Sequence, residues 1–272
     1  MNLKDSIKHC KAAHEVSSSH DADYRPISTD HLITLQDISD HPEMRQLGIM
    51  AIQSNEVAAI IMSGGQGTRL GFHGPKGESS VYAYTPSPPM TPTPYQLIPP
   101  PHVGMYDIGL VSHKSIFQLH VEKLLKLISL YTSPSSPPPH IPLYVMTSDL
   151  NHDIIIDFFA QHEYFGYPKE DVMFFEQNLL PCFDFNNKVI VESKTTLALA
   201  PDGNGGVYRA ISTSPLHPPV ASSPLEDMTR RGVRHVHIYG VDNVLSLPLD
   251  PVFIGGCIQR GVEVGNKVGL SH

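Results

Sequence analysis

No surplus of basic residues, no membrane-length apolar run and no paired set of cysteines occurs in this sequence of 272 residues. Lys and Arg number 19 against 27 Asp and Glu, a formal net charge of −8. The electrostatic footprint of a nucleic-acid binder is therefore missing, and any anion site must build its positive field locally. The apolar runs fall short of the roughly 20 residues that cross a bilayer as a helix, so no membrane partner is expected. Three cysteines, Cys10, Cys182 and Cys257, match no zinc or redox spacing. The opening residues MNLKDSIKHCKAAHEV hold no apolar core of a secretory signal. With free thiols, that predicts a cytoplasmic protein. The 16 histidines are scattered, with no HxxxH or HExxH among them, so no histidine metal site is read. No feature predicts a protein partner.

Proline is what the chain does have, and it punctuates the organisation. Of 25, eight lie between Pro86 and Pro101, five between Pro134 and Pro142, and four between Pro215 and Pro224. Proline cannot donate to a helix or a central strand. Insertions are accordingly expected near 78–103, 132–142 and 212–224. Residues 1–56 read as an abbreviated, polar, partly helical N-terminal arm, and 57–272 as the folded portion.

Within 57–272, VAAIIM at 57–62 is a continuous apolar run of the kind a parallel strand buried on both faces needs. Ser112 is a candidate cap for a helix carrying Ile116, Phe117, Val121, Leu124 and Ile128. LYVMT at 143–147 is a second strand, and Ser148 or Asp149 then opens a helix carrying Ile154, Ile155, Phe158 and Phe159. Residues 172–175, 189–191 and 235–239 read as further strands, and 251–260 as a helix. Strands alternating with helices predict an α/β fold with a doubly wound, largely parallel sheet. Ligands on such sheets bind at the carboxyl ends of the strands. The loop after 57–62 and Asp242 after 235–239 both fall at such ends.

That loop, residues 62–76 (MSGGQGTRLGFHGPK), carries the chemistry. Gly64, Gly65, Gly67 and Gly71 let successive backbone N–H groups converge on phosphate oxygens. Arg69 offers a planar fork for a phosphate and Lys76 a point charge. No Gly-Lys-Ser/Thr closes a Walker A, and Leu70 stands where a dinucleotide fingerprint needs its third glycine. A glycine-rich turn alone is also compatible with a plain strand-to-helix turn. Gln177 can pair with a base edge through donor and acceptor, although a lone Gln is commonly a surface residue. Asp242 is a hard oxygen ligand suited to Mg²⁺, although an isolated Asp is commonly a cap.

Residues 64–71 followed by Pro75-Lys76-Gly77 resemble the signature of the UDP-sugar pyrophosphorylases. The continuation is similar to the eukaryotic UDP-N-acetylglucosamine pyrophosphorylases, in the UDPGP type 1 family. The matching stretches include MYDIGL at 105–110, KSIFQ at 114–118, FFEQNLLP at 174–181, APDGNGGVYR at 200–209, EDMTRRG at 226–232, VDNVL at 241–245 and FIGGCIQRG at 253–261. The resemblance implies a nucleotidyltransferase fold, Rossmann-like and GT-A-like, incomplete at its C-terminus. It implies transfer of a uridylyl group from UTP to N-acetylglucosamine 1-phosphate, with Mg²⁺ as cofactor. Met62, Ser63, Gly64 and Gly65 would hold UTP through backbone groups, and Arg69 and Lys76 would act on its phosphates. Gln177 and Gly203 would contact uracil, Asn204 the sugar phosphate, and Asp242 the magnesium. Two other readings stand beside it: a broader-specificity UDP-sugar pyrophosphorylase, and a non-catalytic uridine-nucleotide-binding remnant. The chain departs from the family's pattern at residues 78–103, which interrupt the exit of the loop, at Asn178, where the family prefers glycine, and at His272, past which the family continues. If position 178 needs positive φ, Asn is the least costly replacement.

Overall fold

A computed structural model describes residues 32–64, 102–132, 137–186 and 188–268. In chain order these form α1 (Leu35–Asp40), α2 (Glu43–Gln53), β1 (Val57–Met62), α3 (Ile116–Tyr131), β2 (Leu143–Thr147), α4 (His152–Gln161), β3 (Val172–Glu176), β4 (Leu179–Pro181), β5 (Leu199–Pro201), α5 (Val207–Thr213), α6 (Pro224–Arg231), β6 (His235–Gly240) and α7 (Pro251–Arg260). Short 3-10 turns lie between them.

Among the described residues the central sheet has the order β3-β2-β1-β6, with every pairing parallel. Successive side chains of a strand point to opposite faces, and the two faces bury two separate clusters. Val57, Ala59 and Ile61 of β1, with Leu143, Val145, Val172 and Phe174, meet residues of α2, α3, α4 and α7. Ala58, Ile60, Tyr144, Met146, Met173 and Phe175 meet Val207, Ala210, Leu216 and Met228 on the α5–α6 side. Helices thus cover both faces of a parallel sheet, the expected doubly wound α/β arrangement. Both faces of β1 being covered explains why VAAIIM has no polar alternation.

Several local expectations are corrected. α3 is capped by Ser115, whose hydroxyl accepts from Gln118 N at 3.2 Å, and not by Ser112. Ser115 bridges Asp107, which sets the chain extended up to the first helical residue. α4 starts at His152, not at 148 or 149. Residues 189–191 form isolated bridges, Phe183 to Val189 and Val191 to Leu197, and not a strand. Val191 is exposed there, so no second layer rewards a regular strand. The helix at 43–53, expected within a polar arm, is packed instead. Met44, Gly48, Ala51 and Ile52 are buried, and α2 lies directly on α7. A Cβ on Gly255 would collide with the Met44 carbonyl oxygen, and one on Gly48 with the Pro251 carbonyl oxygen. Residues 214–217, in a proline-rich stretch expected as an insertion, run along the free edge of β3. Phe174 N donates to His217 O at 2.7 Å, and His217 N to Phe174 O at 2.8 Å.

An ionic network sits at the amino edge of the sheet, opposite the site described below. Asp227, fully buried, accepts from Arg231 Nε at 2.8 Å, from Tyr144 Oη at 2.7 Å and from Arg230. Arg231 also donates to Asp171 Oδ1 at 2.8 Å. α6 is thereby tied to β2 and to the turn before β3. No helix among the described residues is long and apolar enough to cross a membrane.

Candidate active site

Four parallel strands put their carboxyl ends on one edge. β1 leaves at Met62, β2 at Thr147, β3 at Glu176 and β6 at Gly240, and the register pairs Met62 with both Met146 and Gly240. Three of the sequence-derived candidates therefore meet here: the Met62-Ser63-Gly64 exit, Gln177 and Asp242.

The exit of β1 is held by polar contacts. Ser63 is buried. Its backbone N–H and its hydroxyl both donate to Met146 O, at 2.8 and 2.7 Å. Its carbonyl accepts from Asn151 Nδ2 at 3.2 Å, and Asn151 Oδ1 in turn accepts from Ser148 N at 2.8 Å. Gln177 closes the other side. Its backbone N–H extends the β2–β3 pairing to Thr147 O, and its side chain donates from Nε2 to Gly64 O at 3.1 Å. The absence of a side chain on Gly64 makes this possible, since a Cβ there would stand 2.5 Å from Gln177 Cδ. A primary amide carries two donors and an acceptor, so one bond to Gly64 O is compatible with pairing to a base edge.

Gly203 and Asn204 lie exposed on the turn that leads into α5. β4 pairs antiparallel with β5, Leu179 opposite Pro201, and Asp202 N donates to Asn178 O at 3.2 Å. The 203–204 turn is thus carried beside the segment that follows Gln177. Asn178 has no positive φ, so its replacement of glycine costs nothing in backbone conformation. The Asp202 carboxylate is turned inward, both oxygens buried without a hydrogen-bond partner. Burial raises its pKa above the ordinary carboxylate value, against the pull of Arg209.

Asp242 is exposed just past β6. Val241 N donates to Met62 O at 3.0 Å, so the acid follows directly on the exit of β1. Among the described residues no three His, Cys, Asp or Glu side chains gather as a metal site. A divalent cation at Asp242 would take one carboxylate from this stretch and its other oxygens from phosphate and water, a mode that suits magnesium. Gly65, Arg69 and Lys76 lie outside the described residues. Sequence reasoning missed Asn151 and Ser148, which brace Ser63. The signal available was an Asn just ahead of a helical pattern, which reads only as a cap.

The UTP-glucose-1-phosphate uridylyltransferase (UDPGP) family profile matches residues 104–269. The chain belongs to this family. Similar members include the probable UDP-N-acetylglucosamine pyrophosphorylase of Schizosaccharomyces pombe, 37% identical over 238 residues, 86% of this chain and 42% of that protein. The UDP-N-acetylglucosamine pyrophosphorylase of Saccharomyces cerevisiae is 41% identical over 226 residues, 83% of this chain and 39% of that protein. Among solved structures, the uridine diphosphate N-acetylglucosamine pyrophosphorylase from Trypanosoma brucei, in complex with an inhibitor, superposes with a TM-score of 0.69. It is 28% identical over 94% of this chain and 46% of its own. The chain spans about two fifths of the length of the curated relatives it matches. Like these members of the family, it carries the nucleotidyltransferase fold.

Proposed function

We propose that the protein transfers a uridylyl group from UTP to N-acetylglucosamine 1-phosphate, yielding UDP-N-acetylglucosamine and pyrophosphate. The observation that carries this reading is the closure of Gln177 onto Gly64 at the carboxyl edge of the sheet, with Asp242 one strand away. In this reading, residues 57–272 are the N-terminal portion of a catalytic domain, and α2 packs with them. Met62, Ser63, Gly64 and Gly65 present backbone groups to UTP. Gln177 and Gly203 meet the uracil, and Asn204 meets the sugar phosphate. An oxygen of the sugar phosphate attacks the α-phosphorus while the bond from that phosphorus to the β-phosphate bridging oxygen breaks. Pyrophosphate leaves, and no protein nucleophile is required. Arg69 and Lys76 stabilise the departing charge. Mg²⁺, held through Asp242, supplies further charge neutralisation on the phosphates when bound. A reducing compartment such as the cytoplasm suits the free thiols Cys182 and Cys257.

Pyrophosphate release by the 272-residue chain, measured with N-acetylglucosamine, N-acetylgalactosamine and glucose 1-phosphates, tests the reading. Arg69→Ala is expected to lower turnover about 10²–10³-fold. Turnover unchanged by both Arg69→Ala and Asp242→Asn would sink the site. Binding of UTP with magnesium and no turnover would favour a nucleotide-binding role for this stretch alone.

Gly64→Ala separates the role of Gln177 from that of the fold. The added methyl meets only the far end of a flexible side chain, so stability should fall by about 1 kcal/mol, one hydrogen bond. Affinity for UTP should fall about tenfold, the equivalent of roughly 1.4 kcal/mol. Combining it with Gln177→Ala should add nothing further. Additive losses by calorimetry would mean that the two residues act separately.

A further inference from the structure

α3 does more than cover a sheet face. Two of its side chains, three residues apart and so on one side of the helix, reach the backbone of the segment that carries Asp242. His120 is fully buried and its Nε2 lies 2.9 Å from Val241 O. A carbonyl oxygen can only accept, so the ring donates from Nε2 to the peptide leading directly into Asp242. Lys123 donates from Nζ to Ser246 O at 2.8 Å and also to Val244 O. Val241 is held from the other side as well, since its N–H donates to Met62 O at 3.0 Å. Val241, the residue before Asp242, is thus gripped between β1 and α3, and the turn after Asp242 is gripped by Lys123. The ring of His120 packs on that of Tyr239 with centroids 5.2 Å apart, which removes its freedom to swing. A carboxylate on an exposed turn would otherwise sample many orientations, and ordering it at the moment of cation binding would cost affinity. Groups that orient a ligating side chain without touching the metal are worth about 10–100-fold in metal affinity.

We propose that His120 and Lys123 are positioning residues that hold segment 241–246 so that Asp242 is presented to a divalent cation bound with phosphate at the exits of β1 and β6. This rests on the reading of Asp242 as the metal ligand. The test is uptake of Mn²⁺ by the 272-residue chain with UTP present, followed by electron paramagnetic resonance, alongside UTP binding without metal. His120→Leu and Lys123→Met are each expected to weaken Mn²⁺ uptake about 10–100-fold, with His120→Gln and Lys123→Arg restoring most of it because they keep a donor. Metal-free UTP binding should stay at the parent value, which a general loss of structure would not allow. Asp242→Asn should abolish Mn²⁺ uptake. If it does not, the reading of Asp242 is wrong and the inference falls with it. If Asp242→Asn abolishes uptake while His120→Leu and Lys123→Met leave it intact, the positioning role alone is overturned. Should His120→Leu fail to fold, Lys123→Met, which preserves the packed stem, decides the matter by itself.

Discussion

Replacing Asp227 by alanine is expected to lower the unfolding free energy by about 3–5 kcal/mol, the usual consequence of removing one partner from a buried ion pair. At roughly 2–4 °C per kcal/mol for a domain of this size, the midpoint falls on the order of 10 °C. Asp227 is fully buried and is the point at which Tyr144, Arg230 and Arg231 converge. Its removal leaves the Tyr144 hydroxyl buried without its acceptor and Arg231 with Asp171 as its remaining carboxylate, beside the Glu170 carbonyl. Tyr144→Phe removes one donor from an acid that keeps two arginines, so it should cost only about 1 kcal/mol. Equal losses in the two variants by denaturant titration would mean that packing, and not charge, governs the site. The same network predicts an acid response. Burial alone would raise the Asp227 carboxyl, but bonds from Arg230 and Tyr144 and the charges of Arg231 and Arg230 outweigh it and leave the pKa below the ordinary value. The stabilisation is then complete above the unfolded carboxylate pKa of about 3.9 and is lost as pH falls through the lowered value. Asp227→Asn should flatten the stability profile in that window and leave it unchanged in slope near neutrality.

Two adjacent glycines of α7 should respond in opposite ways to the same substitution. Gly255→Ala drives a methyl into the Met44 carbonyl oxygen. Backbone cannot step aside as a side chain can, so α2 and α7 must separate, at a cost of about 3 kcal/mol, the upper end of overpacking penalties. Gly256→Ala meets the tip of Ile33 at 3.0 Å and, at ordinary contact distance, the Met44 sulfur at 3.8 Å. It should change stability by no more than about 1 kcal/mol, in the favourable direction if Ile33 moves aside, because alanine suits a helix better than glycine. Thermal melts of the two variants that coincide would mean that the close crossing of α2 and α7 is not maintained in solution.

What the sequence encodes locally was legible, and what arises from distant pairing was not. VAAIIM announces a strand buried on both faces because every residue in it is apolar, and LYVMT and HVHIY announce strands by their β-branched and aromatic content. Their order in the sheet is invisible to such patterns. The α2–α7 crossing was missed for the same reason: a glycine in a helix reads as a weak point until its partner helix is known. Ser112 and Ser115 are both plausible caps by residue type, and only the Asp107–Ser115 bridge decides between them. Of the residues that the family resemblance singles out, Met62-Ser63-Gly64, Gln177 and Asp242 lie at separate strand ends of one edge. Asn151 and His120 act through backbone carbonyls at positions 63 and 241, and no local pattern marks a side chain whose task is to hold a remote peptide.

The pairing of β1 with β6 also bears on how the molecule comes together in time. β1 is flanked on one side by β2, which follows it by way of α3, and on the other by β6, whose residue His235 pairs with Val57. Contacts between residues so far apart in sequence close large loops and are reached slowly. A ribosome delivers β1, β2 and β3 well before β6. The flank of β1 that β6 comes to occupy is therefore an unpaired strand edge until residues 235–240 have emerged. The nascent chain can bring the exits of β1 and β6 together only after β6 has emerged.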